Sequence, residues 1–289
     1  MSPQHESRTA APARLLNFGC GTSFHPAWTN MDAAPVSPGI IAHDLRRGFP
    51  YGAETFDAVY GSHVLEHLEP EAGAQLLQEC FRVLKPGGAV RIVVPDLEMI
   101  AKLYLRSLEG ALTSDADARM RHEWLMLELY DQATRARSGG MMAAYLRRPL
   151  DGRAAQFVSA RIGAEASGDV APGVARRPAP ARVARRARLA ASSLRRMLAT
   201  ACARLFMGPE GSAALREGIF RRSGEVHRWM YDRFSLAQAL QQAGFADARV
   251  RSADDSDIPE FDRYGLETRD GAPLKPDSLY IEARKPRLT

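Results

Sequence analysis

Leu15-Leu16-Asn17-Phe18-Gly19-Cys20-Gly21-Thr22-Ser23, with Asp32 a short distance beyond, decides how this chain folds. An apolar run that ends in two closely spaced glycines is how a buried strand hands over to a turn whose backbone must approach a ligand. Trp28 to Met31 has the composition of the next strand, which puts Asp32 at its end. A carboxylate there can accept hydrogen bonds from ribose hydroxyls. The turn and the acid together predict a nucleoside-cofactor site on a parallel α/β sheet.

The kind of nucleoside follows from what the turn lacks. A dinucleotide fingerprint carries a third glycine three residues after the second, so that a helix packs closely and points its N-terminus at a pyrophosphate. That position is Phe24 here, and Pro26 follows. The interval from Gly21 to Asp32 is also shorter than the roughly 20 residues of a dinucleotide fold. A full crossover helix does not fit. A ligand with a ribose but no phosphates does, and S-adenosylmethionine is the common one.

Outward from this stretch the same alternation continues. Ile40-Ile41-Ala42 reads as a short strand leading into Asp44, placed where an adenine amino group would need an acceptor; a surface-loop acid is the other reading. Thr55 to Tyr60 is a buried strand ending at Gly61-Ser62-His63. Glu71 to Leu84 has a helical apolar period through Leu76, Leu77, Cys80, Phe81 and Leu84. Lys85-Pro86-Gly87-Gly88 reads as a turn and Ala89 to Val94 as a strand. Near the C-terminal end Ser235 is expected to cap a helix through Ala243 that buries Leu236, Leu240 and Phe245, with Gly244 at its end. Ala248 to Arg251 and Ser278 to Ala283 read as closing strands. Strands alternating with helices at both ends of the chain predict a Rossmann-like, doubly wound α/β sheet. Ligands bind such sheets beyond the carboxyl ends of the strands, where Asn17 to Gly21, Asp32, Asp44 and His63 would lie.

Composition bounds the rest. The 289 residues are 45% hydrophobic, enough for one large domain with an insertion, and no apolar run approaches a membrane span. Residues 1–13 are polar and read as a flexible tail. Cys20, Cys80 and Cys202 are far apart and in no metal-ligand spacing, which suits a reducing cytoplasmic compartment. The formal charge of +5 is concentrated: nine arginines and no acidic residue fall between Val170 and Pro209. Arginine outnumbers lysine 35 to 4, which in an alanine-rich chain reads as coding bias.

From 105 to 222 the alternation stops and Ala, Arg, Met and Leu dominate, so this segment is expected as a helical insertion or cap. Arg121 to Tyr130 and Met141 to Leu146 read as helices, and Ser167 to Pro180 as a mobile linker. Within residues 181–207, Arg182 to Phe206 is a basic amphipathic helix: Val183, Ala187, Leu194, Met197, Leu198 and Leu205 share a face, with arginines mostly on the remainder. It can pack as a cap with a solvated arginine face, attach to an anionic membrane surface, or meet nucleic acid. Nucleic acid is the least favoured, because no aromatic residues interleave to stack on bases.

With these residues laid out, the chain resembles the class I S-adenosylmethionine-dependent methyltransferases, in particular bacterial methyltransferase-domain proteins linked to polysaccharide and other glycan biosynthesis. The matching stretches are Leu-Asn-Phe-Gly-Cys-Gly ending at Gly21, Trp28 to Asp32, Phe56 to Tyr60 running into His63-Val64-Leu65-Glu66-His67, Leu84 to Gly88, Val93 to Asp96, His227 to Tyr231, and Ala243 to Phe245. The resemblance implies a mostly parallel seven-stranded sheet with one antiparallel strand, formed by residues 14–104 and 223–286. It also implies methyl transfer by in-line attack on the sulfonium. Asn17, Gly19, Cys20 and Gly21 would face the methionine part of the cofactor, Asp32 its ribose, and Asp44 with the Leu45 backbone its adenine. Ser62 and His63 would lie near the reacting methyl. The family's usual acid in the glycine motif is Asn17 here, which removes a charge beside the cationic cofactor.

His63-x-x-Glu66-His67 also has the His-x-x-Glu-His spacing of an inverted zinc protease. That pattern needs a helix presenting both histidines and a third ligand, whereas here it directly follows a strand. Helix capping and pocket lining are the expected roles of Glu66 and His67, and no metal is assigned. Asp254 to Glu260 is read as a solvated acidic loop rimming the acceptor site. His63 and His227 are the candidate general bases for methylation of a hydroxyl. Trp229 and Tyr231 are candidates to stack on a sugar ring, or core aromatics. The expected activity is O-methylation of a glycan or glycolipid intermediate or a small molecule, in the cytoplasm and peripherally at the inner membrane. Two other classes remain: a nicotinamide oxidoreductase, which Phe24 opposes, and a non-catalytic module that binds a partner through the basic helix.

Overall fold

The computed structural model describes residues 12–113, 115–163 and 179–287, with side chains for all of these except 179–193. In chain order the strands are β1 (Leu15–Phe18), β2 (Thr29–Asp32), β3 (Ile40–Ala42), β4 (Phe56–Ser62), β5 (Leu84–Pro95), β6 (Ala246–Arg251), the short β7 (Thr268–Arg269) and β8 (Ala272–Pro273), and β9 (Ser278–Arg284). Seven of them form one sheet in the order β3-β2-β1-β4-β5-β9-β6. Neighbours from β3 to β5 pair in parallel, and β9 runs antiparallel to both β5 and β6. This is the predicted mostly parallel α/β sheet with a single reversed strand.

Both faces of the sheet are buried, which is why β1 and β4 read as continuous apolar runs instead of alternating ones. Leu16, Phe18 and Val59 point to one face, where helix α1 (Pro70–Val83) adds Leu76, Leu77, Cys80 and Val83. Leu236 and Leu240 come from a second covering helix, α7 (Arg233–Gln242). Leu15, Ala58 and Tyr60 point the other way. There the cover includes a long loop after β6, which brings Ala253, Ile258, Phe261 and Leu266 against Trp28, Tyr60 and Tyr280.

Arg91 of β5 stands fully buried on that second face. It donates to Glu282 at 2.7 Å, to Glu267, and to the carbonyls of Asp255 (2.8 Å) and Ser252 (2.7 Å), so one side chain ties β5, β9 and the covering loop together. Its guanidinium also lies 4.9 Å from the Phe261 ring centroid. Two carboxylates face one cation. Burial pushes Glu267 up to about 7, against the hydrogen bonds from Arg91 that pull it down. A carboxyl that binds its proton more tightly when folded contributes stability in full below its unfolded pKa, here about 4.5, and loses it as the pH rises through about 7. Relative to Glu267→Gln, the protein is therefore expected to lose up to about 3 kcal/mol between about pH 5 and about pH 8. Thermal unfolding of both proteins across that range measures it, and parallel pH profiles would contradict it.

After β5 the chain leaves the sheet as α2 (Leu97–Leu112), α3 (Ala116–Thr134), α4 (Gly140–Leu146) and α5 (Gly152–Ile162). These helices share a small core of Trp124, Tyr145, Val158 and Ile162. Beside it Arg161 grips the buried Glu128 in a two-point ion pair, with Nη2 to Oε2 at 2.7 Å, and the Trp124 indole N–H donates to the same carboxylate. Helix α2 runs across residue 105, where the helical insertion was expected to begin, and Asp96 caps it by accepting from the Met99 N–H. Helix α6 (Ala179–Arg221) is long and breaks at Gly208, ahead of Pro209, where the left-handed φ of 73° ends one helical run and starts another.

Several boundaries differ from the sequence reading. The cap of α7 is Asp232, not Ser235; Ser235 occupies the third helical position and completes a capping box by accepting the Asp232 N–H on its hydroxyl. Residues 85–88 lie within β5. Leu84 pairs with Phe56 and Ala89 with Ala58, so the predicted turn is a wide bulge opposite Asp57, and Lys85 closes it with an ion pair to Asp57 at 2.8 Å. The expected linker Ser167 to Pro180 falls outside the described residues up to 178, as does the tail up to residue 11.

Candidate active site

The glycine turn projects from the carboxyl end of β1. Gly19 and Gly21 both adopt left-handed backbone, with φ of 62° and 49°. Their surroundings differ. A Cβ at Gly19 would overlap the Val64 side chain, whereas a Cβ at Gly21 would meet nothing within 4 Å. Gly19 is therefore a packing glycine that lets the chain after β4 press onto the turn, and Gly21 opens into free space. Gly19→Ala should lower stability by about 2 kcal/mol or more, from backbone strain plus the clash. Gly21→Ala should cost only about 1–2 kcal/mol yet fill the space at the turn and weaken ligand binding. Thermal unfolding and ligand titration of both variants separate the two roles, and equal stability losses would contradict the distinction.

Asn17 is buried and explains how the turn keeps its shape without an acid. Its amide donates to the Ser23 carbonyl (3.0 Å) and to Asn30 Oδ1 (3.1 Å), while Asn30 donates to the carbonyls of His25 (2.9 Å) and Trp28 (2.8 Å). A carboxylate at position 17 could not donate to either acceptor. Cys20 is buried too: its N–H donates to the Met31 carbonyl at 3.1 Å, and burial pushes its thiol up to about 12. Its Sγ lies 4.0 Å from the Gly21 carbonyl. Asn30 was not foreseen from sequence, because its importance comes only from lying beside Asn17 across two parallel strands.

Asp32 closes β2 beside the open glycine. One oxygen accepts the Gly21 N–H at 2.9 Å and the other the Ala34 N–H at 2.7 Å. Asp44, just past β3, caps the short turn Leu45–Arg47 and pairs with Arg46 through two hydrogen bonds of 2.9 and 2.7 Å. The Arg46 guanidinium holds its carboxyl down to about 2. Leu45 packs partly buried against the core beneath it. The turn, Asp32 and Asp44 thus stand at the carboxyl ends of three adjacent strands.

The chain after β4 supplies the opposite wall. Ser62 ends the strand, and His63 follows in left-handed backbone at φ 54°, a conformation that re-aims a non-glycine side chain at some energetic cost. His63 Nε2 lies 2.9 Å from Ser278 Oγ, and its Nδ1 lies 3.2 Å from Glu66 Oε1. Ser278, at the start of β9, was not visible from sequence as a partner. Glu66 and His67 sit on a single 3-10 turn (Leu65–His67), and Glu66 caps no helix, contrary to the role expected for it.

The segment Glu225 to Tyr231 crosses over this region. The Arg228 and Trp229 N–H groups both donate to the Glu66 carbonyl (2.6 and 3.2 Å), and the Leu97 N–H donates to the Tyr231 carbonyl (3.1 Å). From the insertion, the Gln132 carbonyl accepts the His227 N–H at 3.0 Å, and Arg135 donates to the Glu225 carbonyl at 2.8 Å. His227 is buried with its ring 4.8 Å from that of His67, and burial pushes its pKa down to about 3. Tyr231 is buried in the main core, which leaves it unable to stack on a sugar; Trp229 is 49% exposed. The acidic residues after β6 are drawn to arginine, with Arg251 bonded to Asp255 at 3.0 Å and also to Asp257.

Residues 16–92, which hold the glycine turn, Asp32, Asp44 and the His63 turn, match the methyltransferase-domain family. With that match on this sheet, the chain is an S-adenosylmethionine-dependent methyltransferase, and S-adenosylmethionine is its cofactor. The residues present fit that group: the open space at Gly21 admits a ligand against bare backbone, and the Asp32 carboxylate flanks it. No curated protein matches the chain. Among solved structures it is similar to a chain of the Haloferax volcanii complex between the Trm112 methyltransferase activator and a methyltransferase (11% identity, 96% of this chain and 84% of that one, TM-score 0.39). It is similar also to a Thermotoga maritima S-adenosylmethionine-dependent methyltransferase (11%, 96% and 84%, 0.36). A shorter stretch, 29% of this chain and 43% of the other, is similar to CalS10, an amino pentose methyltransferase from Micromonospora echinaspora (28%, 0.25). Among the described residues no helix is long and apolar enough to cross a membrane.

Proposed function

We propose that this methyltransferase methylates a hydroxyl of a glycan or glycolipid intermediate, with a small-molecule hydroxyl as the second choice of acceptor. The observation that carries the reading is the seating of Trp229. Its backbone is bound to Glu66, three residues past the His63 strand end, and its indole is half exposed. An exposed aromatic face beside a cofactor pocket suits a sugar ring. Asn17 to Gly21 would hold the methionine part of the cofactor, Asp32 its ribose, and Asp44 with Leu45 its adenine. Ser62 and His63 border the reacting methyl. When bound, the cofactor would supply an electrophilic methyl group to the acceptor oxygen and leave as neutral S-adenosylhomocysteine, and the hydroxyl proton would pass to His63 or to water. Proximity supplies most of the acceleration. Of the two histidines considered as bases, His63 stands at the strand end, and the burial of His227 makes it the poorer proton acceptor.

Calorimetric titration with S-adenosylhomocysteine, with NAD as control, followed by a labelled methyl donor offered with glycolipid extracts and with small-molecule acceptors, tests the reading. Micromolar binding and alkali-stable label in the glycan fraction are expected. A preference for NAD, or label only on nitrogen, would overturn it.

The same reading places the enzyme in the cytoplasm, peripherally at the inner membrane, where such intermediates are made. Leu194, Met197, Leu198, Leu205 and Phe206 of α6 are all exposed, in a stretch whose sequence is rich in arginine. An anionic lipid surface complements both features. Deleting Arg182 to Phe206 is expected to abolish sedimentation with anionic vesicles, and unchanged sedimentation would remove the membrane part of the proposal.

A further inference from the structure

Glu66 is fully buried, and neither of its carboxylate oxygens has a well-directed hydrogen-bond partner among the described residues. A bare buried carboxylate is expensive, so something must compensate it. Around it stand imidazoles. Candidate ligand atoms of Glu66, His67 and His227 all lie within 4.8 Å of one another, and His63 Nδ1 approaches Glu66 Oε1 at 3.2 Å.

We propose that Glu66, His67 and His227 form a binding site for a divalent transition cation of the zinc class. Two imidazoles and one carboxylate are a donor set for zinc, cobalt or iron(II), whereas magnesium and calcium prefer all-oxygen sets. The backbone already holds the ligands in place. His227 is pinned to Glu66 through the N–H groups of Arg228 and Trp229, and to the insertion through Gln132. His67 Nδ1 lies 3.3 Å from the Val226 carbonyl. Donation to that oxygen fixes the Nδ1–H tautomer and leaves Nε2 with its lone pair, the usual arrangement behind a metal-bound histidine. Tetrahedral bonds of about 2.1 Å separate ligand atoms by roughly 3.4 Å, so the three groups must close inward by about 1.4 Å at most. Three protein ligands would leave a fourth coordination position open. The His-x-x-Glu-His spacing thus contributes two of the three ligands here, Glu66 and His67, from a 3-10 turn and not from a helix.

Titrating the full-length, untagged, chelator-treated protein with cobalt(II) tests this by its visible absorption, with zinc competition as a second reading. One equivalent is expected to bind and be displaced by zinc. Glu66→Gln, His227→Ala and His67→Ala should each weaken binding by at least about tenfold, with His122→Ala unchanged. His67 is only partly buried, so its variant keeps the test open where the buried ones unfold; circular dichroism reports which are folded. No cobalt or zinc binding by the intact chain, or equal binding by the folded variants, overturns the proposal. The titration reads metal alone, so its outcome is independent of S-adenosylhomocysteine binding and of the acceptor.

Discussion

Replacing Asp32 by alanine is expected to weaken S-adenosylhomocysteine binding by on the order of 10²–10⁴-fold, since two hydrogen bonds to a charged group contribute about 1.5–3 kcal/mol each. The size of the effect follows from the carboxylate's double duty. It shapes the turn by accepting the N–H groups of Gly21 and Ala34, and it presents the remaining lone pairs beside the open glycine. Asparagine in its place still offers one acceptor oxygen but brings an amide that cannot accept the second N–H. Asp32→Asn should therefore fall between the parent and the alanine variant. Calorimetry ranks the three, and thermal unfolding separates loss of ligand contact from loss of turn shape. Unchanged affinity in the alanine variant would mean that the ribose lies elsewhere.

Arg91→Ala should be the most damaging single change to stability, by about 3–5 kcal/mol, because it breaks a buried ion-pair network and leaves Glu267 without its cation. Glu267 and Glu282 both depend on Arg91, and the carbonyls of Ser252 and Asp255 lose their donor as well. The covering loop then keeps its apolar contacts and its bonds to Glu282 from the Ser256 hydroxyl and the Asp257 N–H. Adding Glu267→Gln to Arg91→Ala should cost little more, since Glu267 has already lost its cation in the single variant. Urea denaturation of the two variants measures both effects, and additive losses would show that the three side chains do not act as a cluster.

How much of this was legible depends on the range of the interaction. The glycine turn, Asp32 and the helical face of α1 were readable because strand and helix burial leave periodic traces in a few neighbouring residues. Tyr231 was ambiguous because an aromatic flanking a helix has the same local sequence whether it faces a ligand or the core. The boundary errors at Ser235 and at residues 85–88 have one cause. Two candidate caps, or a bulge and a turn, differ only in the backbone angles of three or four residues.

By itself, then, the sequence determined a parallel α/β sheet, a turn for a phosphate-free nucleoside and the acid that flanks it, since each depends on contacts within one strand–turn–strand unit. Tertiary structure alone decided which loop seals the second face, why Arg91 can be buried, and that Asn30 supports Asn17. It also brought His227 beside Glu66 and His67, across an entire helical insertion. Local periodicity records only which side of an element is buried. Which distant residues meet there depends on the path of the whole chain.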